Sequence, residues 1–168
     1  MDEAILDGVN ESVGERDTLY HLGDFAFGGK SRTGGLRAME HYRSRIRCRN
    51  VHIVWGNHDG LPSKARHEAA GRLFSTASDL TQVNVCDLKI VLCHYAMAAW
   101  NGSHHGAWQL YGHSHSSLEP WMNAVMPGRR SMDVGVDNAK LLLGDYRPFS
   151  LDELKGVLDG RPNDHHGS

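Results

Sequence analysis

Apolar residues in the first half of the chain alternate between the spacing of a helix and the spacing of a strand. Residues 2–13 and 34–46 carry apolar side chains on one helical face, which predicts a helix over each, and 63–73 also has a helical pattern. Short β-prone runs at 18–22 and 51–55 are predicted strands, and each is followed directly by a glycine. Helices that alternate with strands in this way favour an α/β layered fold.

The second half of the chain is richer in strand patterns. Four further segments are predicted strands: 83–85, 88–93, 109–111 and 131–136. The first two of these are joined at Asp87. A final helix is predicted over 151–159, where Ser150 stands at the N-cap and Glu153 follows three residues later, which is the spacing of a capping box. We expect the later strands to form sheet segments that close over the first sheet.

Composition and length indicate one globular domain over residues 1–159, followed by a polar tail at 160–168. Hydrophobic residues make up 40% and charged residues 23% of the 168 residues, which is ordinary for a globular domain. The formal net charge of −2 creates no strong field for nucleic acid or an anionic membrane, so neither is an expected partner. Three cysteines without a Cys-x-x-Cys pair, no secretory leader and no bilayer-length apolar run lead us to expect a cytoplasmic protein.

Histidine departs most from ordinary composition, with 12 among the 168 residues. It is the commonest metal ligand in proteins and the side chain that most readily exchanges protons near neutral pH. Three segments with such chemistry each follow a predicted strand: Gly23-Asp24, Gly56-Asn57-His58-Asp59, and His94 with Gly112-His113-Ser114-His115. Because functional loops of layered α/β folds lie at the carboxyl ends of strands, we expect the three segments to meet at one rim.

Each segment by itself also has an ordinary interpretation, as a strand-to-loop turn, a polar turn or a solvent-facing histidine pair. Together they offer carboxylate oxygen, amide oxygen and imidazole nitrogen, a ligand set that suits Mn, Fe, Zn or Ni. His58 can donate a proton, and Asp59 can orient its imidazole. His113 and His115 lie two residues apart, so in an extended segment both imidazoles point to the same side and can reach one metal or two adjacent metals.

The order of these motifs resembles the calcineurin-like metallophosphoesterase superfamily, and its small bacterial and phage members in particular. The similarity runs from about residue 2 to about residue 155. Its most specific parts are Asp17-Thr18-Leu19-Tyr20-His21-Leu22-Gly23-Asp24-Phe25 and Tyr111-Gly112-His113-Ser114-His115. The resemblance implies a four-layer α/β/β/α sandwich with a two-metal site at one end.

The resemblance also implies a role for each motif residue. Asp24 would bridge the two metal ions. Asn57, His94 and His113 would complete one metal site, and His115 would belong to the other. The implied cofactors are two divalent ions, with manganese favoured over iron, zinc or nickel.

Catalysis by such a site would be the hydrolysis of phosphomonoesters or phosphodiesters by a metal-activated hydroxide. His58 would stand near the leaving group, with Asp59 as its partner, and the substrate would be a small soluble phosphoester. The alternative is a non-catalytic or single-metal relative that acts as a binding or scaffold module. A nuclease is a weaker third interpretation, because it needs a basic groove.

One part of the family pattern is missing, an Asp-x-His at the end of a preceding apolar strand. Met1 stands 23 residues before Asp24, and no Asp-x-His occurs between them. Three explanations remain open: the sequence begins late, the protein is a variant that binds one metal or is weakly active, or Asp164 and His166 of the tail supply the motif. Without that strand a sheet edge is exposed, so we expect lower stability or dimerisation through the edge.

Two further groups have both a functional and a structural interpretation. One group either lines the substrate entrance or packs its own loop: Tyr95, Trp100, His104 and His105. The other forms either a basic patch for phosphate or RNA or a solvated helix face: Arg43, Arg45, Arg47 and Arg49. The near-neutral net charge favours the solvated face.

Overall fold

The computed structural model describes residues 3–26, 32–59 and 63–162. Six α-helices occur in these residues: α1 Glu3–Ser12, α2 Arg32–Arg45, α3 Ser63–Leu73, α4 Glu119–Val125, α5 Val136–Leu143 and α6 Leu151–Leu158. There are seven strands: β1 Thr18–His21, β2 Asn50–Val54, β3 Thr76–Ser78, β4 Leu80–Val85, β5 Leu88–Cys93, β6 Trp108–Tyr111 and β7 Ser131–Asp133. A 3-10 helix spans Ser103–His105.

The strands form two sheets, so the predicted α/β class is confirmed. Sheet 1 has the order β1-β2-β3 and is parallel throughout, with Leu19 opposite Val51. Sheet 2 has the order β4-β5-β6-β7; β4 is antiparallel to β5, and the other pairs are parallel. The parallel strands direct their carboxyl ends to a common edge in each sheet, which is where the candidate site lies.

Two apolar clusters form the core because side chains alternate between the faces of each strand. One face of sheet 1, which includes Val51 and Ile53, packs against apolar side chains of α1, α2 and α3. Val54 lies on the opposite face and packs in a second cluster with Ile90 and Leu110 of sheet 2. Apolar residues of α6 close this second cluster. The two sheets therefore face each other across a shared core.

The far face of sheet 2 carries a buried polar network that anchors α4. The Tyr111 hydroxyl donates to the Glu119 carboxylate, and the Arg129 guanidinium donates to the same carboxylate at 3.0 Å. Burial and the Glu119 charge raise the pKa of Tyr111 well above its ordinary value, so the phenol keeps its proton. A carboxylate with these donors is stable in the interior, which a lone carboxylate is not.

Most predicted elements are confirmed within a few residues. The join between 83–85 and 88–93 is a tight hairpin, in which Cys86 and Asp87 both have positive φ, 49° and 64°. The capping box of α6 is also present, because Ser150 and Glu153 each bind the other's backbone N–H.

The prediction of a strand over 131–136 is wrong in its second half. The strand ends at Asp133, and α5 begins at Val136 after Gly135. The short elements β3 and α4 were not predicted either. They are too short for a periodic pattern, and tertiary contacts decide them. In the described part of the chain, no helix is long and apolar enough to cross a membrane.

Candidate metal centre

Four of the predicted site residues lie within three residues of the carboxyl ends of four strands. Asp24 follows β1, Asn57 follows β2, His94 follows β5 and His113 follows β6. The two sheets are joined at this rim, because His94 Nδ1 lies 2.6 Å from the carbonyl oxygen of Leu22. The Gly112 N–H donates to the carbonyl oxygen of His94 at 3.1 Å, which holds the β5 and β6 loops together. The predicted convergence at one rim is confirmed for these residues.

Asp24, His94 and His113 form a group that can bind a metal ion. One ligand atom from each lies within 4.8 Å of the others. His94 Nε2 is 3.5 Å from Asp24 Oδ2, and the His94 and His113 ring centroids are 5.0 Å apart. The His94 side chain is 2% exposed and that of Asp24 15%, whereas His113 is exposed. The group is therefore anchored in the interior and open to solvent on the His113 side.

The proton arrangement of His94 fits a cation at this position. A carbonyl oxygen can only accept, so Nδ1 carries the proton that it donates to Leu22. Nε2 then faces two oxygens, Asn57 Oδ1 at 2.9 Å and Asp24 Oδ2. In the neutral imidazole three electron pairs would meet there, and a metal ion would satisfy all three. A metal-ligating histidine commonly donates its other N–H to a backbone carbonyl in this way.

Asp59 holds the loop that carries Asp24. The Asp59 side chain is buried and accepts three backbone N–H groups, from Asp24 at 2.8 Å, Phe25 at 2.7 Å and Gly56 at 2.8 Å. The Asp24 carboxylate in turn accepts the backbone N–H of His58 at 2.8 Å. Asp24 has a φ of 55°, which non-glycine residues rarely adopt, so these contacts maintain a strained conformation. The pairing of Asp59 with the His58 imidazole remains a prediction.

His115 does not join the three-residue group. The expectation that His113 and His115 project from one side of an extended segment is wrong, because their φ values are 60° and 49°, in the left-handed region. The chain turns sharply there instead. His115 Nδ1 lies 2.6 Å from Asp137 Oδ2, and the His115 side chain is 74% exposed. The implied role of His115 in a second metal site remains a prediction.

His21, at the end of β1, adds a neutral imidazole near the group. Its Nδ1 is buried without a hydrogen-bond partner among the residues that the structure describes. Burial lowers the pKa of His21, and the negative charges of Asp59 and Asp24 oppose this effect only in part. The imidazole therefore carries no charge that would compete with a bound cation.

A cavity of about 440 Å³ lies beside the group. Its polar wall includes Asp24, His94 and His113, and its apolar wall includes Ile5 and Val134. Volumes of a few hundred Å³ are typical of small-molecule sites. A ligand of that size would contact the candidate metal position directly.

The aromatic and histidine side chains between His94 and Gly112 were expected either to line the substrate entrance or to pack their own loop, and the structure places them differently from one another. Tyr95 lies against the site, with its ring centroid 4.8 Å from that of His113, and is 47% exposed. Trp100 packs its own loop, because its indole N–H donates to the Ala107 carbonyl at 2.9 Å. His104 and His105 lie exposed on the 3-10 helix.

Three members of the arginine cluster, Arg43, Arg45 and Arg49, make contacts within the fold. Arg43 donates to the carbonyl oxygens of Leu73, Ile46 and Arg49, which ties α2 to the segments around it. Arg45 pairs with Glu3 at 2.6 Å and Arg49 with Glu15 at 3.0 Å. These contacts argue against a patch for phosphate or RNA. The cluster is not a single helix face either, because α2 ends at Arg45 and both Arg47 and Arg49 follow it.

Sequence reasoning missed two carboxylates near the site, Asp133 and Asp137. Asp133 is the last residue of β7, which pairs with β6. The predicted strand continued to residue 136, so the sequence pattern did not place Asp133 at a strand end. Asp137 lies in a segment for which no element was predicted and which is helix α5. The alternative in which Asp164 and His166 supply the missing motif concerns residues outside the described part of the chain.

No protein-family model and no curated protein sequence matches the chain. Among solved structures, the chain is similar to the protein of unknown function AQ665 from Aquifex aeolicus. The two share 20% sequence identity and superpose with a TM-score of 0.59, over 91% of this chain and 82% of AQ665. At this identity the similarity shows a shared fold.

Proposed function

We propose that the protein is a metal-dependent phosphoesterase that hydrolyses phosphomonoesters or phosphodiesters. The observation that carries the proposal is the convergence of Asp24, His94 and His113 within 4.8 Å, with the Asn57 amide oxygen against His94. Their order along the chain resembles the calcineurin-like metallophosphoesterases. The finer architecture of that family, a four-layer sandwich, is part of the proposal. It is supported by the helices on the outer face of sheet 1 and by α4 on the far face of sheet 2.

The side chains at the rim would have different roles in such a reaction. Asp24, Asn57, His94 and His113 would hold a divalent ion. Their mixed oxygen and nitrogen ligands suit Mn, Fe, Zn or Ni, and manganese is the ion that the resemblance favours. A bound ion would supply the positive charge that holds a phosphate oxygen and acidifies a bound water. The Leu22 carbonyl keeps the Nε2 atom of His94 directed at this position.

His58 is the proton donor in this proposal. Its backbone N–H binds the Asp24 carboxylate, and its side chain is exposed at the rim of the site. An imidazole at this place can protonate the leaving oxygen of an ester near neutral pH. His115 would contribute to a second metal position, as the resemblance implies.

The proposed substrate is a small soluble phosphoester. The cavity beside the group has the volume of a small-molecule site. Arg43, Arg45 and Arg49 are engaged in contacts within the fold, which argues against a nuclease. A cytoplasmic location is also proposed, since Cys48, Cys86 and Cys93 are all free thiols.

Hydrolysis assays with Mn²⁺ test the proposal. We expect the chain to hydrolyse bis-p-nitrophenyl phosphate or p-nitrophenyl phosphate, and Asp24→Asn and His113→Ala to reduce the rate to that of buffer with Mn²⁺. His41→Ala is the matched control, because His41 is an exposed histidine on α2, and it should keep the wild-type rate. Calorimetric titration with Mn²⁺ should show binding that both site variants weaken.

The second candidate function is a metal-binding module without turnover. It is favoured by the pairing of His115 with Asp137 at 2.6 Å, which leaves a three-residue group suited to one ion. Binding of Mn²⁺ without hydrolysis of either ester would support this function and overturn the phosphoesterase proposal. Absence of Mn²⁺ binding would overturn both functions.

A further inference from the structure

Asp133 is a fully buried carboxylate that contacts the loop carrying His113. Its Oδ2 atom accepts the Ser114 hydroxyl at 2.6 Å and the Ser116 N–H at 3.1 Å. Its Oδ1 atom accepts the Gly135 N–H at 2.7 Å. The residue is 0% exposed, so these donors replace the water that a carboxylate needs.

The loop that these contacts hold is strained. His113, His115 and Ser116 have φ values of 60°, 49° and 61°, in a region that residues with a side chain rarely adopt. A backbone of this kind persists only where surrounding contacts determine it. Asp133 accepts hydrogen bonds from Ser114 and Ser116, and so fixes the loop on both sides of His115.

The same carboxylate also orders the start of α5. Gly135, which donates to Oδ1, is the N-cap residue of that helix. Asp137 follows in the first turn and contacts His115. The Asp133 side chain therefore connects the loop after β6 to the start of α5 through hydrogen bonds.

We infer that Asp133 is a positioning residue of the metal centre, which holds the loop of residues 113–116 so that His113 stands against His94 and Asp24. The inference rests on the proposed function, because it takes those three residues as metal ligands. Asp133 acts through Ser114 and the Ser116 backbone.

The substitution Asp133→Asn tests this role, because asparagine has almost the same shape as aspartate but lacks its charge and its second acceptor oxygen. An amide offers one acceptor oxygen, so no orientation of the side chain satisfies both the Ser116 and the Gly135 N–H groups. The probe is Co²⁺ alone, titrated into the full chain and followed by its visible absorption. We expect Asp133→Asn to weaken Co²⁺ binding by about 10–100-fold, the usual effect of removing a group that orients metal ligands, and to alter the Co²⁺ spectrum.

Further variants separate positioning from loss of stability. Ser114→Ala removes one donor and should weaken Co²⁺ binding less than Asp133→Asn does, and Ser114→Thr should restore it. Val157→Ala is the stability control, since Val157 packs in the second core cluster on α6. It should lower the melting temperature and leave both the affinity and the spectrum unchanged.

Three outcomes would overturn the inference, and they are distinguishable. Wild-type affinity and spectrum in a folded Asp133→Asn protein would overturn this inference and leave the proposed function intact. Equal weakening by Val157→Ala at a similar melting temperature would show a general effect of stability. Failure of the wild-type chain to bind Co²⁺ or Mn²⁺ would overturn the proposed function, and this inference with it.

Discussion

Gly23 and Gly56 allow the loops after β1 and β2 to approach each other closely beneath the candidate site, because neither residue has a side chain. Gly23 has a φ of 95°, and a Cβ there would overlap the His94 imidazole and lie 2.6 Å from the Gly56 nitrogen. A Cβ on Gly56 would overlap the Asp24 carboxylate. The glycine before the aspartate, and the glycine before the asparagine, are therefore steric requirements of the site.

Gly23→Ala is expected to lower the free energy of unfolding by about 1–3 kcal/mol, because alanine is strained at this φ and its methyl group displaces His94. Mn²⁺ affinity should fall as well. Urea denaturation and calorimetry measure the two effects. Gly71→Ala in α3 is the control, since its Cβ meets no atom within 4 Å, and it should raise stability by about 0.5–1 kcal/mol. Equal stability of the two variants would contradict the steric argument.

At the scale of one element, helix α6 shows how sequence pattern and tertiary contact combine. The capping box of Ser150 and Glu153 is local and was predicted. The Arg147 guanidinium then adds two hydrogen bonds to the Glu153 carboxylate, at 2.6 and 3.0 Å. These bonds and the Ser150 donors lower the pKa of Glu153 to about 2. The carboxylate thus links the helix start to the segment before it.

Stability should depend on the protonation of Glu153. The folded pKa is about 2, below the ordinary value of 4.5, so the unfolded chain takes up the proton first as the pH falls. The contribution of Glu153 is therefore complete above about pH 4.5 and is lost between pH 4.5 and pH 2. Thermal unfolding followed by circular dichroism at several pH values should show a smaller fall in this window for Glu153→Gln than for wild type. Parallel curves would contradict the assignment.

At the scale of the whole molecule, β1 is one of the two edge strands of sheet 1. It pairs with β2 on one side, and no other strand among the described residues pairs with it. The cavity beside the metal group runs past Leu19 and Tyr20 of the same strand. An unpaired strand edge next to an apolar wall is a site where another strand can add.

We expect the chain to self-associate through the β1 edge. Sedimentation velocity over a range of concentrations should show a dimer that forms reversibly. Thr18→Lys, at an exposed position of β1, should shift the equilibrium towards monomer, because lysines on edge strands oppose pairing. Thr76→Lys, on the opposite edge strand β3, is the matched control and should not. A monodisperse, thermostable wild-type monomer would contradict the prediction.

The sequence by itself determined the parts of the protein that depend on local spacing. Periodic apolar residues predicted helices α1, α2, α3 and α6, and β-prone runs that end in glycine predicted β1, β2 and β6. The position of Asp24, Asn57, His94 and His113 after strands was enough to predict that they meet, because parallel strands bring their carboxyl ends to one edge.

Only the tertiary structure decided what each carboxylate and histidine contacts. Asp59 binds the backbone of Asp24, 35 residues away, and Asp133 binds Ser114 across 19 residues. Contacts at such separations leave no periodic pattern in the chain. Side chains two residues apart share a side only where the backbone is extended. His113 and His115 have positive φ instead, a conformation that the surrounding hydrogen bonds decide and that the local sequence does not show.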